Sequence, residues 1–126
     1  MKILLIEDDP LLSETVIDSL DTFGEVYHAR TLREAILYFQ VLQFDAIVSD
    51  VYLHSDNSIE YFREATDNTT PIIFITGMPS DDLVEQMLAL GGRDMLEKPF
   101  RMDDLRASLE KHVGLIASQR NRKTLP

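Results

Sequence analysis

Four separate apolar runs in this chain each stop at a polar side chain suited to ligand chemistry, and no other feature constrains the fold as much. Ile3-Leu4-Leu5-Ile6 stops at Glu7-Asp8, Ala46-Ile47-Val48-Ser49 at Asp50, Ile72-Ile73-Phe74-Ile75 at Thr76, and Met95-Leu96-Glu97 at Lys98. Apolar runs this short read as strands buried on both faces, and longer stretches of helical periodicity lie between them. That alternation is the mark of βα units and a parallel sheet covered on both sides. Open sheets of this kind bind ligands at the carboxyl ends of their strands. The pattern therefore brings Glu7, Asp8, Asp50, Thr76 and Lys98 into one crevice.

The segments between the runs support the same reading. Asp9 can cap a helix that has Pro10 at its first position, where a missing N–H costs nothing; Leu12, Val16, Leu20 and Phe23 form its apolar stripe and Gly24 ends it. A weaker strand is expected from Glu25 to His28, and Thr31-Leu32-Arg33-Glu34 has the capping-box pattern ahead of Leu32, Ala35, Ile36, Phe39 and Leu42 at helical spacing. The run ending at Asp50 leads into a polar loop, Leu53 to Ser58, and a short helix near Ile59 to Ala65. Pro71 opens the strand that ends at Thr76-Gly77, Ser80 can cap the helix Asp81 to Leu90, and Gly91-Gly92 terminate it. The strand Asp94 to Glu97 stops at Lys98-Pro99, and the final helix carries Leu105, Leu109, Val113 and Ile116 on one face. Residues 1–117 read as one compact domain and residues 118–126 as a basic polar tail or linker.

Length and composition narrow the function classes. A chain of 126 residues makes one domain, and a domain of that size buries roughly two-thirds of the surface its unfolded chain exposes, enough for a core without staples. There is no cysteine, hence no disulfide framework or thiolate metal site, and the composition suits the reducing cytoplasm. No stretch approaches the ~20 apolar residues of a membrane span, so a soluble cytoplasmic protein is expected. A net charge of −10 and a pI near 4.6 argue against nucleic acid as a direct partner and favour cations. Only the tail from Gly114 to Pro126, with Arg120, Arg122 and Lys123, reverses the sign.

The crevice chemistry points to a divalent cation beside a phosphoryl group. Mg²⁺ takes oxygen ligands, keeps several waters, and is usually held by one or two carboxylates plus phosphate, a demand that Glu7, Asp8 and Asp50 meet. Clustered carboxylates repel, so at least one should have a raised pKa that Lys98 and a cation relieve. A carboxylate at a buried strand end can also be a nucleophile toward phosphorus when a metal and a lysine neutralise the incoming oxygens, and Asp50, on the central strand, is the best placed. The plain alternative is that acids following strands only cap helices, which fits Asp9 before Pro10. His28, His54 and His112 fall on different elements without metal-ligand spacing and read as surface or packing residues.

Over nearly its whole length the chain resembles the receiver domain of bacterial two-component response regulators. The resemblance rests on Ile3-Leu4-Leu5-Ile6-Glu7-Asp8-Asp9-Pro10, Asp45-Ala46-Ile47-Val48-Ser49-Asp50, Pro71-Ile72-Ile73-Phe74-Ile75-Thr76-Gly77 and Leu96-Glu97-Lys98-Pro99-Phe100, in order and at compatible spacings. It implies an α/β fold with a doubly wound five-stranded parallel sheet in flavodoxin-like order 2-1-3-4-5, helices on both faces, and a cis Lys98-Pro99 bond. It implies that Asp50 accepts a phosphoryl group from a histidine kinase or phosphotransfer protein, and that Thr76 and Lys98 contact that group. Mg²⁺ would be held by Glu7, Asp8, Asp50 and the backbone carbonyl of Tyr52, with Asp8 the more direct ligand. The product would be a switch with only self-catalysed phosphoryl transfer and dephosphorylation, not a turnover enzyme. It would act on a downstream protein or a fused output domain, with a phosphorylation-dependent dimer as a further option. The chain would then be a stand-alone receiver or the front of a longer regulator.

Several positions depart from the family's usual residues. Met95 stands where receivers commonly carry a tyrosine or phenylalanine that moves on activation, and His54 and Ser58 stand where proline and glycine are frequent. Tyr52 and Met78, two residues past Asp50 and Thr76, are placed to hinder the water that hydrolyses an aspartyl phosphate, or else simply to pack on the surface. These departures keep a second reading open, a receiver-like interaction module that works without phosphorylation. A small flavin or nucleotide binder on the same fold is disfavoured because Glu7-Asp8-Asp9-Pro10 would repel phosphate at the helix N-terminus where such ligands sit.

Overall fold

A computed structural model of the chain describes residues 1–54, 56–65 and 69–114. The strands β1 (Lys2–Ile6), β2 (Glu25–Ala29), β3 (Ala46–Asp50), β6 (Ile72–Thr76) and β7 (Asp94–Glu97) form one parallel sheet in the order β2-β1-β3-β6-β7. This is the expected 2-1-3-4-5 arrangement, with two extra strands, β4 (Tyr52–Leu53) and β5 (Asp56–Asn57), pairing as a small antiparallel hairpin where a polar loop was expected. The helices are α1 (Pro10–Leu20), α2 (Leu32–Val41), α3 (Ser58–Ala65), α4 (Asp81–Ala89) and α5 (Met102–Leu109).

Because successive side chains on a strand point to opposite faces, each apolar run feeds two cores at once. Leu4, Ile6, Ile47, Ile72 and Phe74 meet Leu32 and Ala35 of α2, Ile59 and Phe62 of α3, and Leu83 and Met87 of α4. Ile3, Leu5, Ala46, Val48, Ile73 and Ile75 meet Val16 and Leu20 of α1 and Leu105 and Leu109 of α5, with Val113 beyond. The first core is laced by edge-to-face rings, with Phe62 6.1 Å from Phe39 and from Phe74, and Phe44 5.7 Å from Tyr27, centroid to centroid. Met95 packs against this same core from β7, at the register position of Phe74.

The local signals hold with informative shifts. Asp9 caps α1 through Oδ1, which accepts from Leu11 and Leu12 N–H, but α1 stops at Leu20 and a 3₁₀ turn, Asp21–Phe23, carries the chain to Gly24. Gly24 has φ 146°, and a Cβ there would lie 2.2 Å from the Met1 carbonyl oxygen, so glycine is required. Thr31 caps α2 by accepting from Glu34 N–H at 3.1 Å, yet Glu34 reaches back to the N–H of Arg30, not of Thr31. Ile36, expected on the apolar stripe of α2, lies on its exposed side. Asn57 caps α3, accepting from Ile59 and Glu60, so that helix starts at Ser58. The bond between Lys98 and Pro99 is cis, as the resemblance implies. Ile116 and the tail 118–126 lie outside the described residues.

Candidate functional site

Parallel register brings the polar strand ends together. Ile6 is beside Ser49 and Asp50 beside Ile75, so Glu7, Asp50 and Thr76 leave three adjacent strands at one edge, with Lys98 just after the next strand. Glu7 is fully buried, and Asp50 and Thr76 are nearly so. Lys98 Nζ bridges the two acids, 2.6 Å from Glu7 Oε1 and 2.9 Å from Asp50 Oδ2. The other oxygen of Glu7 accepts from the N–H groups of Asp8 at 2.8 Å and Asp9 at 3.2 Å. Thr76 Oγ1 accepts from Met78 N–H at 3.1 Å, and its carbonyl accepts from Lys98 N–H at 2.8 Å, tying the hydroxyl and the ammonium to one turn.

Electrostatics follow from that crowding. Burial, reinforced by the charge of Asp50, pushes the Glu7 carboxyl from 4.5 up to about 7, although the Lys98 hydrogen bond and the backbone N–H of Asp9 pull the other way. Burial by itself would lower the pKa of Lys98, but its hydrogen bonds to Glu7 and Asp50 outweigh burial and raise it. The pocket is thus a cluster of negative charge that one lysine only partly compensates.

The donor set fits a hard divalent cation. Ligand oxygens of Glu7, Asp8 and Asp50 lie within 4.8 Å of one another, against the ~4.2 Å that opposite ligands span in an octahedron with ~2.1 Å bonds, so a small contraction or retained waters complete the fit. Glu7 is engaged by two amides and the lysine, while the Asp8 side chain, 29% exposed, is the more open donor. Tyr52 begins the hairpin after Asp50 and donates its N–H to Asp50 Oδ1 at 3.4 Å. The five side chains singled out in the sequence are therefore gathered into one pocket.

Supporting contacts were missed. Ser58, read only as a departure in a loop, is fully buried, and its Oγ donates to the Asp50 carbonyl at 2.5 Å while its N–H donates to Val51 at 2.8 Å. His28, read as surface or packing, donates from Nε2 to the Glu7 carbonyl at 2.8 Å. Ser13 Oγ donates to the Asp9 carbonyl at 2.7 Å. No spacing rule announces the Ser58 and His28 contacts, because each partner comes from another element, whereas Ser13 bonds back one helical turn to the Asp9 carbonyl. His54 adopts φ 54° at the tip of the hairpin, a conformation closed to proline, whose ring holds φ near −65°. Its Nε2 stands 3.8 Å from Asp8 Oδ2.

Known proteins carry the same organisation. The transcriptional regulatory protein CrdR of Helicobacter pylori is 37% identical over 114 residues, which are 87% of this chain and 54% of that protein. CiaR of Streptococcus pneumoniae is 32% identical over 112 residues, 87% of this chain and 50% of that protein, so the chain spans about half the length of the curated relatives it matches. Among solved structures, the chemotaxis response regulator CheY4 of Vibrio cholerae superposes with a TM-score of 0.77 at 29% identity, covering 87% of this chain and 96% of that one. The receiver domain of the sensor histidine kinase PA1611 of Pseudomonas aeruginosa, solved with a magnesium ion coordinated in its active site cleft, gives 0.76 at 28% identity over 90% of this chain and 97% of that one. The family model described as the response regulator receiver domain matches residues 3–110, and the chain belongs to that family.

Proposed function

We propose that this chain is the phosphoacceptor of a two-component system and that Asp50 is the residue modified. The observation that carries the reading is the lysine bridge, in which Lys98 holds Asp50 and Glu7 at the sheet's carboxyl edge beside Asp8. A carboxylate oxygen of Asp50 attacks the phosphorus of a phosphohistidine. The O–P bond forms as the P–N bond breaks, and the electron pair leaves with the imidazole nitrogen, which takes a proton. Lys98 neutralises charge on the phosphoryl oxygens, and the Thr76 hydroxyl turns to donate to one of them. Asp8, Asp50, Glu7 and the Tyr52 carbonyl would hold Mg²⁺, which would supply positive charge to offset the carboxylates and the incoming phosphoryl group.

The donor is a histidine kinase or a phosphotransfer protein, and the phosphoryl group stays on the chain, which makes it a cytoplasmic switch with no turnover of an external substrate. Phosphorylation biases pre-existing conformations around α4, β7 and α5 toward a downstream protein or a fused output domain. A near-complete shift requires roughly 5.5 kcal/mol of differential interaction. The test is intact mass after incubation with acetyl phosphate, with and without Mg²⁺, for this chain and for Asp50→Ala. A single Mg²⁺-dependent phosphoryl adduct that disappears in the variant is expected. No adduct, under conditions that label another receiver, would favour the phosphorylation-independent interaction module.

A further inference from the structure

The backbone just past Asp50 has more partners than the carboxylate it carries. That carboxylate has one close partner, Lys98 Nζ at 2.9 Å from Oδ2. Its Oδ1 accepts from Tyr52 N–H at 3.4 Å, longer than the roughly 2.7–3.2 Å of ordinary N–H···O bonds. The peptide unit joining Asp50 to Val51, by contrast, is bound at both ends. Its N–H donates to the Ile75 carbonyl of β6 at 2.9 Å, and its carbonyl accepts from two buried hydroxyls, Ser49 Oγ at 3.0 Å and Ser58 Oγ at 2.5 Å. A carbonyl oxygen has two lone pairs, and the pair of hydroxyls matches them. In the next unit the Val51 carbonyl accepts from Ser58 N–H at 2.8 Å, while the N–H of Tyr52 is the one that reaches Asp50 Oδ1. Ser58 thus grips two successive peptide units, one holding the Asp50 backbone and one aiming a donor at its carboxylate.

The place of Ser58 in the chain gives its hydroxyl no other task. It opens α3, where a serine hydroxyl ordinarily serves as a cap. Asn57 already fills that role, its Oδ1 accepting from Ile59 and Glu60 N–H. Burying a hydroxyl is unfavourable unless it is bonded, and this one directs its bond across the hairpin to Asp50.

We propose that Ser58 is a positioning residue for phosphoryl transfer, its hydroxyl fixing, together with Ser49, the peptide after Asp50 so that the carboxylate keeps its place beside Lys98 as the O–P bond forms. The inference rests on Asp50 being the phosphoacceptor, as proposed above. An attacking oxygen must sit about 3–3.5 Å from phosphorus and in line with the leaving group, and a misplacement of ~1 Å can cost about a hundredfold in rate. A peptide free to rock at the end of β3 swings the carboxylate by part of that distance, so a loss of about tenfold is the scale expected.

The experiment follows phosphorylation by acetyl phosphate with Mg²⁺ present, using intact mass, for the unaltered chain, Ser58→Ala and Ser58→Thr. The Asp50 O–P bond forms as the bond from phosphorus to the acetyl oxygen breaks, and acetate leaves with the electron pair. Rates are expressed per folded molecule, with the folded fraction taken from urea unfolding, so a loss of stability alone does not move them. Ser58→Ala should react about tenfold more slowly, and Ser58→Thr, which keeps the hydroxyl, should restore most of the rate. An unchanged rate in Ser58→Ala would mean that the hydroxyl only stitches the hairpin to β3, overturning the inference and leaving the phosphoacceptor reading intact. A Ser58→Thr rate as low as that of alanine overturns it too, because shape and not the hydroxyl would then govern. No adduct on the unaltered chain, under conditions that label another receiver, overturns both readings. Should Ser58→Ala fold poorly, Ser58→Cys decides: it refills the site with only a weak S–H donor, should also be slow, and at an unchanged rate refutes the role given to the hydroxyl.

Discussion

The helix-covered faces of the sheet and its carboxyl edge are built from the same strands and obey opposite rules. Phe62 and Phe74 are buried among rings that attract each other without asking for partners. One residue past the end of β1, Glu7 is equally buried but carries a carboxyl that burial and Asp50 together push up to about 7. The faces gain free energy from desolvation, and the edge spends it to hold charges in an arrangement that favours an incoming cation or phosphoryl group. A residue's burial therefore says little about its role until its charge is counted.

Removing a ring should produce the largest effect and should spare the edge. Phe62→Ala empties the junction of α2, α3 and β6, and a loss of about 3–5 kcal/mol is expected from urea unfolding, while acetyl phosphate labelling of the folded fraction persists. A loss below about 1 kcal/mol would mean that the aromatic core closes over the gap.

At the edge the sign should reverse. Asp50→Asn removes a charge that repels Glu7, so without divalent cations the variant should be more stable by about 1 kcal/mol, one pKa unit's worth of interaction. The pH dependence has a definite direction. A carboxyl raised to about 7 keeps its proton in the folded chain after the unfolded chain has released it, so its contribution is present below about 4.5 and lost as pH rises to about 7. The stability gap between Asp50→Asn and the unaltered chain should widen across that window and shrink when Mg²⁺ is added. A gap that is flat from pH 4.5 to 7 would show that Glu7 is not strained. Ser58→Ala tests the join between the two regions: loss of the hydroxyl on the Asp50 carbonyl should cost about 1 kcal/mol in stability.

What could be read from residues alone divides along the same line. The faces were legible because burial on both sides leaves unbroken apolar runs, and the edge because each run ends at a functional side chain. The order of strands and the cis bond before Pro99 came from family resemblance. Ile36 was misjudged because helical spacing marks a stripe without saying how wide the covered part is. Ser58 and His28 are not announced by spacing because their partners, the Asp50 and Glu7 carbonyls, are brought near only by folding, whereas Ser13 bonds to the Asp9 carbonyl one helical turn back, a contact the spacing itself permits. The hairpin at Tyr52–Leu53 and Asp56–Asn57 is too short for an alternating pattern to register.

The smallest effect should come from the rim, where exposed apolar groups border the charged pocket. Tyr52 is 48% and Met78 77% exposed, yet they follow Asp50 and Thr76 by two residues, and the N–H of each is hydrogen-bonded to the side chain of the residue it follows. An aspartyl phosphate is lost when water attacks phosphorus in line with the Asp50 oxygen, so a bulky side chain over that approach slows hydrolysis without touching stability. Tyr52→Ala should speed dephosphorylation by about three- to tenfold, no more than ~1.4 kcal/mol of barrier. Met78→Ala, at the more exposed position, should do less. Following the phosphorylated mass over time after donor removal measures both, and a rate unchanged in Tyr52→Ala would assign that ring to surface packing and leave control of the lifetime to the buried charges alone.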